Sequence, residues 1–98
     1  MGKFRVEITE LAKRQLAKHL KSGNQASIKK IAQILKELSE TPYSGVGKPE
    51  ALKENLTGFW SRQINQKDRL IYTVNENLVV VDVVSAMGHY SDKPKIRI

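Results

Sequence analysis

The sequence predicts an α+β domain: two antiparallel N-terminal helices packed on a twisted antiparallel sheet of about four strands. Three observations predict it. A run of alternating apolar and charged residues opens the chain, two apolar stripes of helical period follow between residues 11 and 38, and three strand-like runs separated by polar turns fill the second half. Ninety-eight residues suffice for one modest core and not for two, so residues 1–90 read as a single domain and 91–98 as a basic tail.

In residues 3–8, KFRVEI, the apolar Phe4, Val6 and Ile8 alternate with charges, as in a short half-buried strand. Thr9 is placed as an N-cap with Glu10 in the first turn, and the helix it starts has its stripe at positions 11, 12, 16, 19 and 20, with His19 at the margin. Ser22-Gly23 ends that helix and Asn24 caps the next, whose stripe is Ile28, Ile31, Ala32, Leu35 and Leu38 and which Thr41-Pro42 stops. Gly45, Gly47 and Pro49 then favour a loop that delivers Glu50. Residues 59–64 and 69–74 read as strands about the polar turn 65–68. The last strand, 78–86 (LVVVDVVSA), is almost continuously apolar, so it is expected to be central and covered on both faces, with Asp82 a paired structural carboxylate. If 75–77 is a simple three-residue loop, Arg69 faces Val83, and residues 69, 83, 85, 87 and 89 share one face. Tyr43, Phe59, Trp60 and Tyr72 read as packing residues.

Composition narrows the function classes. No apolar run approaches the ~20 residues of a membrane helix, and the opening MGKFRVEITE lacks the apolar core of a signal peptide, so a cytoplasmic protein without membrane contact is expected. With no cysteine there is neither a disulfide nor a thiol nucleophile. Seventeen Lys+Arg against ten Asp+Glu give a formal +7, which favours a polyanionic partner. Lys13, Arg14, Lys18, Lys21, Lys29, Lys30 and Lys36 fall on the polar helix faces, where they either grip RNA phosphates or simply face water.

Only His19 and His89 are available as imidazole ligands, and no carboxylate cluster stands beside either. Phosphate-loop and dinucleotide fingerprints are absent, so an enzyme built on this chain is expected to use neither metal nor cofactor. RNA can be cut that way. Its 2′-hydroxyl attacks the adjacent phosphorus, given a base for the hydroxyl proton, an acid for the departing 5′-oxygen and a cation for the charge between them. Glu50 is the candidate base, His89 the acid and Arg69 the phosphate clamp; Lys48, Lys53 and Arg62 would add positive potential for RNA, and Tyr90 an aromatic surface for a base. Taken singly, each has an ordinary account as a surface or packing residue.

The phrases GKPEALK, NLTGFWSRQI and DRLIYTV, followed by His89-Tyr90, resemble the YoeB (Txe) toxins of type II toxin–antitoxin systems, within the RelE-like superfamily, from about residue 42 to residue 90. The resemblance implies a RelE-like fold and a ribosome-dependent endoribonuclease that cleaves messenger RNA in the A site without a metal. By position it implies general base for Glu50, transition-state stabilisation for Arg69, general acid for His89 and substrate positioning for Tyr90, with Lys53 and Arg62 at basic positions near the site. Implied partners are an adjacently encoded antitoxin of the YefM/Axe kind, the 70S ribosome with its messenger RNA, and a second copy in a homodimer. Two residues depart from the pattern: Gly88 precedes His89 where several members have an aromatic, and Gln63 stands where a second consecutive Arg often occurs. Two other classes stay open, a ParE-like toxin that binds DNA gyrase and an RNA-binding module without catalysis.

Overall fold

Both helices begin and end where the local chemistry dictates. In a computed structural model, which describes residues 3–78 and 80–88, Thr9 Oγ1 accepts from the Ala12 N–H and starts α1 (Glu10–Ser22), and Gly23 closes it in a left-handed conformation, φ 74°. Asn24 Oδ1 accepts from the Ser27 N–H and starts α2 (Gln25–Leu38). The strands are β1 (Arg5–Ile8), β2 (Glu50–Ala51), β3 (Phe59–Gln63), β4 (Arg69–Asn75) and β5 (Val80–Ser85), with a short 3-10 turn at Glu54–Leu56.

They form one five-stranded sheet in the order β1-β5-β4-β3-β2, and β1 runs parallel to β5. The expected antiparallel sheet of about four strands is thus a mixed sheet of five. Two physical reasons account for the difference. β2 is only two residues long, too short to carry a period, and the alternation of β1 fixes its faces but not its direction. That direction is held by the turn into α1, where the Thr9 N–H donates to Val83 O and Thr9 Oγ1 to Val84 O.

The β4–β5 register also departs from expectation. Asn75 pairs with Val80, so the connection is longer than three residues, and Asn75 Oδ1 closes it by accepting from the Leu78 N–H. Tyr72 then faces Val83 and Ile71 faces Ser85, with the register shift of a β-bulge between them. Val83 therefore lies beneath the helices, on the face opposite to Arg69.

Helices cover one face only. Ala12, Ile31, Ile34 and Leu38 bury against Leu70, Tyr72, Val81 and Val83 in the main core. A smaller cluster of Leu52, Phe59 and Ile71, with Leu56 and Val84 against it, lies on the other face and draws nothing from either helix. β5 does have apolar contacts on both faces, and Asp82 within it is half-buried. The α2 stripe is rotated from expectation: Ile34 is fully buried, Ala32 is exposed, and a groove of about 250 Å³ between the helices is lined by Leu16, Leu20, Ile28, Ile31 and Leu35.

Candidate active site

Strand alternation sorts the candidate residues between the two faces. Trp60, Leu70 and Tyr72 pack with the helices, whereas Phe59 and Ile71 belong to the cluster on the open face. Ser61 and Arg69 have the same parity as Phe59 and Ile71, and the β2–β3 register sets Glu50 directly beside Ser61. On that face Arg69 Nη1 lies 4.0 Å from Glu50 Oε1 and donates to Ser61 Oγ at 3.3 Å. The Arg69 side chain is 18% exposed and that of Glu50 55%, so the guanidinium is held down on the sheet while the carboxylate faces solvent. Such a pair can present a base and a fixed cation to one phosphodiester.

The other basic candidates divide. Lys53 is exposed and shares with Glu50 a shallow depression of about 330 Å³, completed by Ala51, Leu52, Glu54 and Leu56. Lys48 is also exposed, two residues before Glu50, with φ 50° in the left-handed region. Arg62 corrects the expectation of an RNA-facing cation: it is fully buried on the helix side. Its Nε donates to Tyr72 Oη, Nη1 to Glu37 Oε1 and Val46 O, and Nη2 to Thr41 O and Ser44 O. A guanidinium has five N–H donors, and all five are thereby engaged. A phosphate cannot reach it.

Glu37, the partner of Arg62, has its carboxyl held below the usual carboxylate range by the Gln33 amide first, then by the Val46 N–H and the Arg62 guanidinium, against the opposing cost of burial. Burial pushes the Tyr72 phenol up, with Arg62 pulling the other way. Tyr72 Oη in turn donates to Pro42 O at 2.7 Å.

His89 and Tyr90 lie outside the described residues, as does the 91–98 tail. The residue before His89 is described. Gly88 donates from its N–H to Asp68 Oδ1 at 2.9 Å, accepts at its carbonyl from the Arg69 N–H at 3.0 Å, and has φ 76°, which favours glycine. The end of β5 is therefore tied to the start of β4, the strand that carries Arg69. His19 is elsewhere: it is buried, and its Nε2–H donates to Ala86 O at 2.8 Å, pinning α1 to the sheet. Ser61 and Asp68 escaped the sequence reading. Nothing in their spacing marks them, and only the β3–β4 register and the fold of the 65–68 turn bring them to Arg69 and Gly88. Among the described residues no three His, Asp or Glu side chains are grouped as metal ligands.

The family profile described as "YoeB-like toxin of bacterial type II toxin-antitoxin system" matches residues 14–90. Toxin YoeB of Escherichia coli O6:H1 is 48% identical over 54 residues, 55% of this chain and 64% of that protein, so this chain spans less than two thirds of that relative's length. The YoeB dimer from Staphylococcus aureus superposes with a TM-score of 0.74 at 34% identity, over 90% of this chain and 99% of that one. The YoeB–YefM complex from the same organism gives 0.71 at 36% identity, over 89% and 98%.

Proposed function

The chain belongs to the YoeB-like toxin family of bacterial type II toxin–antitoxin systems, and from that membership we propose that it is a cytoplasmic toxin that cuts messenger RNA in the ribosomal A site without a metal. The observation that carries the proposal is the Glu50–Arg69 pair, 4.0 Å apart on the face of the sheet that the helices leave open. Glu50 takes the proton of a 2′-hydroxyl as that oxygen attacks phosphorus. Arg69 holds the charge that accumulates on the phosphorane oxygens. The P–O5′ bond breaks as His89 gives its proton to the departing oxygen, leaving a 2′,3′-cyclic phosphate and a 5′-hydroxyl. Tyr90 positions the substrate, and the exposed Lys48 and Lys53 hold flanking phosphates. Few catalytic groups suffice because the ribosome fixes the strand in place.

Its partners are, on this proposal, the ribosome, the messenger RNA and an antitoxin encoded beside it. The S. aureus structures hold YoeB in complex with YefM and as a dimer, which supports a second copy as a further partner. An acidic, initially disordered antitoxin segment that folds over the basic open face suits a chain of net charge +7.

The test is mapping of new RNA 5′ ends on programmed ribosomes with the wild type and with Glu50→Ala, Arg69→Ala and His89→Ala, each shown folded by circular dichroism. The wild type should cut within the A-site codon, and each variant should lose about 10²- to 10⁴-fold in rate. Folded wild type that leaves no new ends would reject the nuclease and bring gyrase inhibition or simple RNA binding forward.

A further inference from the structure

We infer that the Arg62–Glu37 pair, whose guanidinium is fully buried and whose carboxylate is partly so, positions Glu50: it moulds residues 41–47 into the one shape that delivers the carboxylate to Arg69. The inference rests on the nuclease reading for its functional meaning, although its structural part can be tested without it.

The segment between α2 and β2 has almost no regular structure of its own, and Glu50 itself opens a β-strand of only two residues. Something else must hold it. Arg62 reaches across from β3 and gathers three backbone carbonyls from this one segment, Thr41 and Ser44 at 2.8 Å and Val46 at 3.3 Å, while bonding Glu37 of α2 at 2.7 Å. Glu37 Oε1 also accepts from the Val46 N–H at 2.9 Å, and Tyr72 Oη, itself bonded by Arg62, donates to Pro42 O. The two glycines fit this close approach. At Gly45, φ 130°, a Cβ would overlap Glu37 Oε1 and lie 2.9 Å from Arg62 Nη1. At Gly47, φ 82°, a Cβ would meet Gln63 O at 2.9 Å, and the Gly47 carbonyl accepts from the Gln63 N–H at 2.7 Å.

Two considerations separate positioning from mere stability. Burying a guanidinium with a carboxylate is costly compared with an apolar side chain of similar size, so stability alone does not explain its use here; what it supplies is one specified conformation. The geometry also ends at the site. From the Gly47 carbonyl pinned on β3, only Lys48 and the φ-restricted Pro49 precede Glu50. Glu50 stands opposite Ser61, the neighbour of Arg62 in β3, and Ser61 Oγ receives the Arg69 guanidinium. One strand thus shapes the loop with one face and seats the cation with the other.

The experiment compares wild type with Gly45→Ala, Glu37→Gln and Arg62→Lys, and with Gly23→Ala as a control. Gly45→Ala changes no charge and adds one methyl at an exposed loop residue. Gly23→Ala strains a left-handed helix cap remote from the site, where a Cβ would meet nothing within 4 Å, so it carries destabilisation without displacing the loop. On programmed ribosomes, Gly45→Ala and Arg62→Lys should keep KM within about twofold and lose kcat by about ten- to a hundredfold, as expected for a small misplacement of a catalytic group. Glu37→Gln, which keeps the hydrogen-bonding shape but not the charge, should fall between, and Gly23→Ala should keep its kcat. The Glu50 backbone N–H and Arg69 Nε–H resonances are recorded for every folded variant. They should move in Gly45→Ala and not in Gly23→Ala. If Arg62→Lys fails to fold, Gly45→Ala decides. An unchanged kcat in folded Gly45→Ala overturns the inference. If the wild type itself does not cut, the nuclease reading fails, and unmoved Glu50 and Arg69 resonances in Gly45→Ala overturn the positioning role separately.

Discussion

Arg62 and Arg69 look alike in the sequence, basic residues in neighbouring strand-like runs, and the fold sends them to opposite faces of the sheet. Parity and register separate them: Arg69 shares its face with Ser61 and Ile71, while Arg62 shares the helix face with Trp60 and Tyr72. Glu50, Lys53 and Arg69 could be nominated from their residue types and from the phrases around them, and the fold sets Glu50 beside both of the others. Arg62 was misread because a guanidinium that will be buried carries no mark of it; the partners that bury it, Glu37 and the 41–46 carbonyls, are 16 to 25 residues away. Ser61 was missed for a similar reason, since a serine in a strand declares nothing until its neighbour across the sheet is known. Its hydroxyl accepts from Arg69 Nη1 at 3.3 Å and is fully buried. Ser61→Ala removes an acceptor to a charged donor and frees the guanidinium to turn, so single-turnover cleavage should slow on the order of tenfold, equivalent to about 1.4 kcal/mol. Ser61→Thr retains the hydroxyl and should recover most of that rate. Equal rates for Ser61→Ala and wild type, with both folded, would show that Arg69 holds its place without this hydroxyl.

At the level of elements, caps and breakers were read accurately: Thr9, Gly23 and Asn24 sit where short-range chemistry requires them. Sheet pairing was less legible because it depends on the length of a connection. One Asx turn at Asn75 and one bulge beside Tyr72 shift β4 against β5, which removes Val83 from the face of Arg69. The same connection also touches the loop that leads to Glu50. Tyr43 donates its hydroxyl to Glu76 Oε2 and tilts against Trp60, ring centroids 5.1 Å apart. Its phenol is pushed up to about 12, first by that hydrogen bond and then by burial. A raised phenol keeps its proton longer in the folded chain than in the unfolded one. The stabilisation from this contact is therefore fully present below the ordinary value of 10.0 and is lost as pH rises from there toward about 12. Tyrosinate absorbance should show Tyr43 titrating late alongside the buried Tyr72, and Glu76→Gln should return the Tyr43 step alone toward 10.0 and reduce the loss of stability above it. A titration unchanged by Glu76→Gln would mean that the hydrogen bond does not govern Tyr43.

For the molecule as a whole, the net charge of +7 could be counted from the sequence, but its distribution could not. Lys13, Arg14, Lys18, Lys21, Lys29 and Lys36 are exposed on the helices, Lys48 and Lys53 lie on the loop and turn beside Glu50, and Arg62 is withdrawn from the surface altogether. These sets should be separable by salt. Each phosphate neutralised on a single strand contributes about −0.7 to the slope of log K against log salt concentration. A short RNA oligonucleotide held on the open face should therefore bind the Lys48→Ala/Lys53→Ala double variant with a slope shallower by about 1.4. Lys29→Ala/Lys36→Ala should leave that slope unchanged and weaken association with the ribosome instead, because those side chains stand on the opposite side of the sheet from Glu50. Fluorescence anisotropy across a salt series measures the first quantity, and co-sedimentation with ribosomes the second. If the helix variant flattened the oligonucleotide slope as much as the loop variant, RNA would be bound diffusely by net charge, and the open face would have no special claim on the substrate strand.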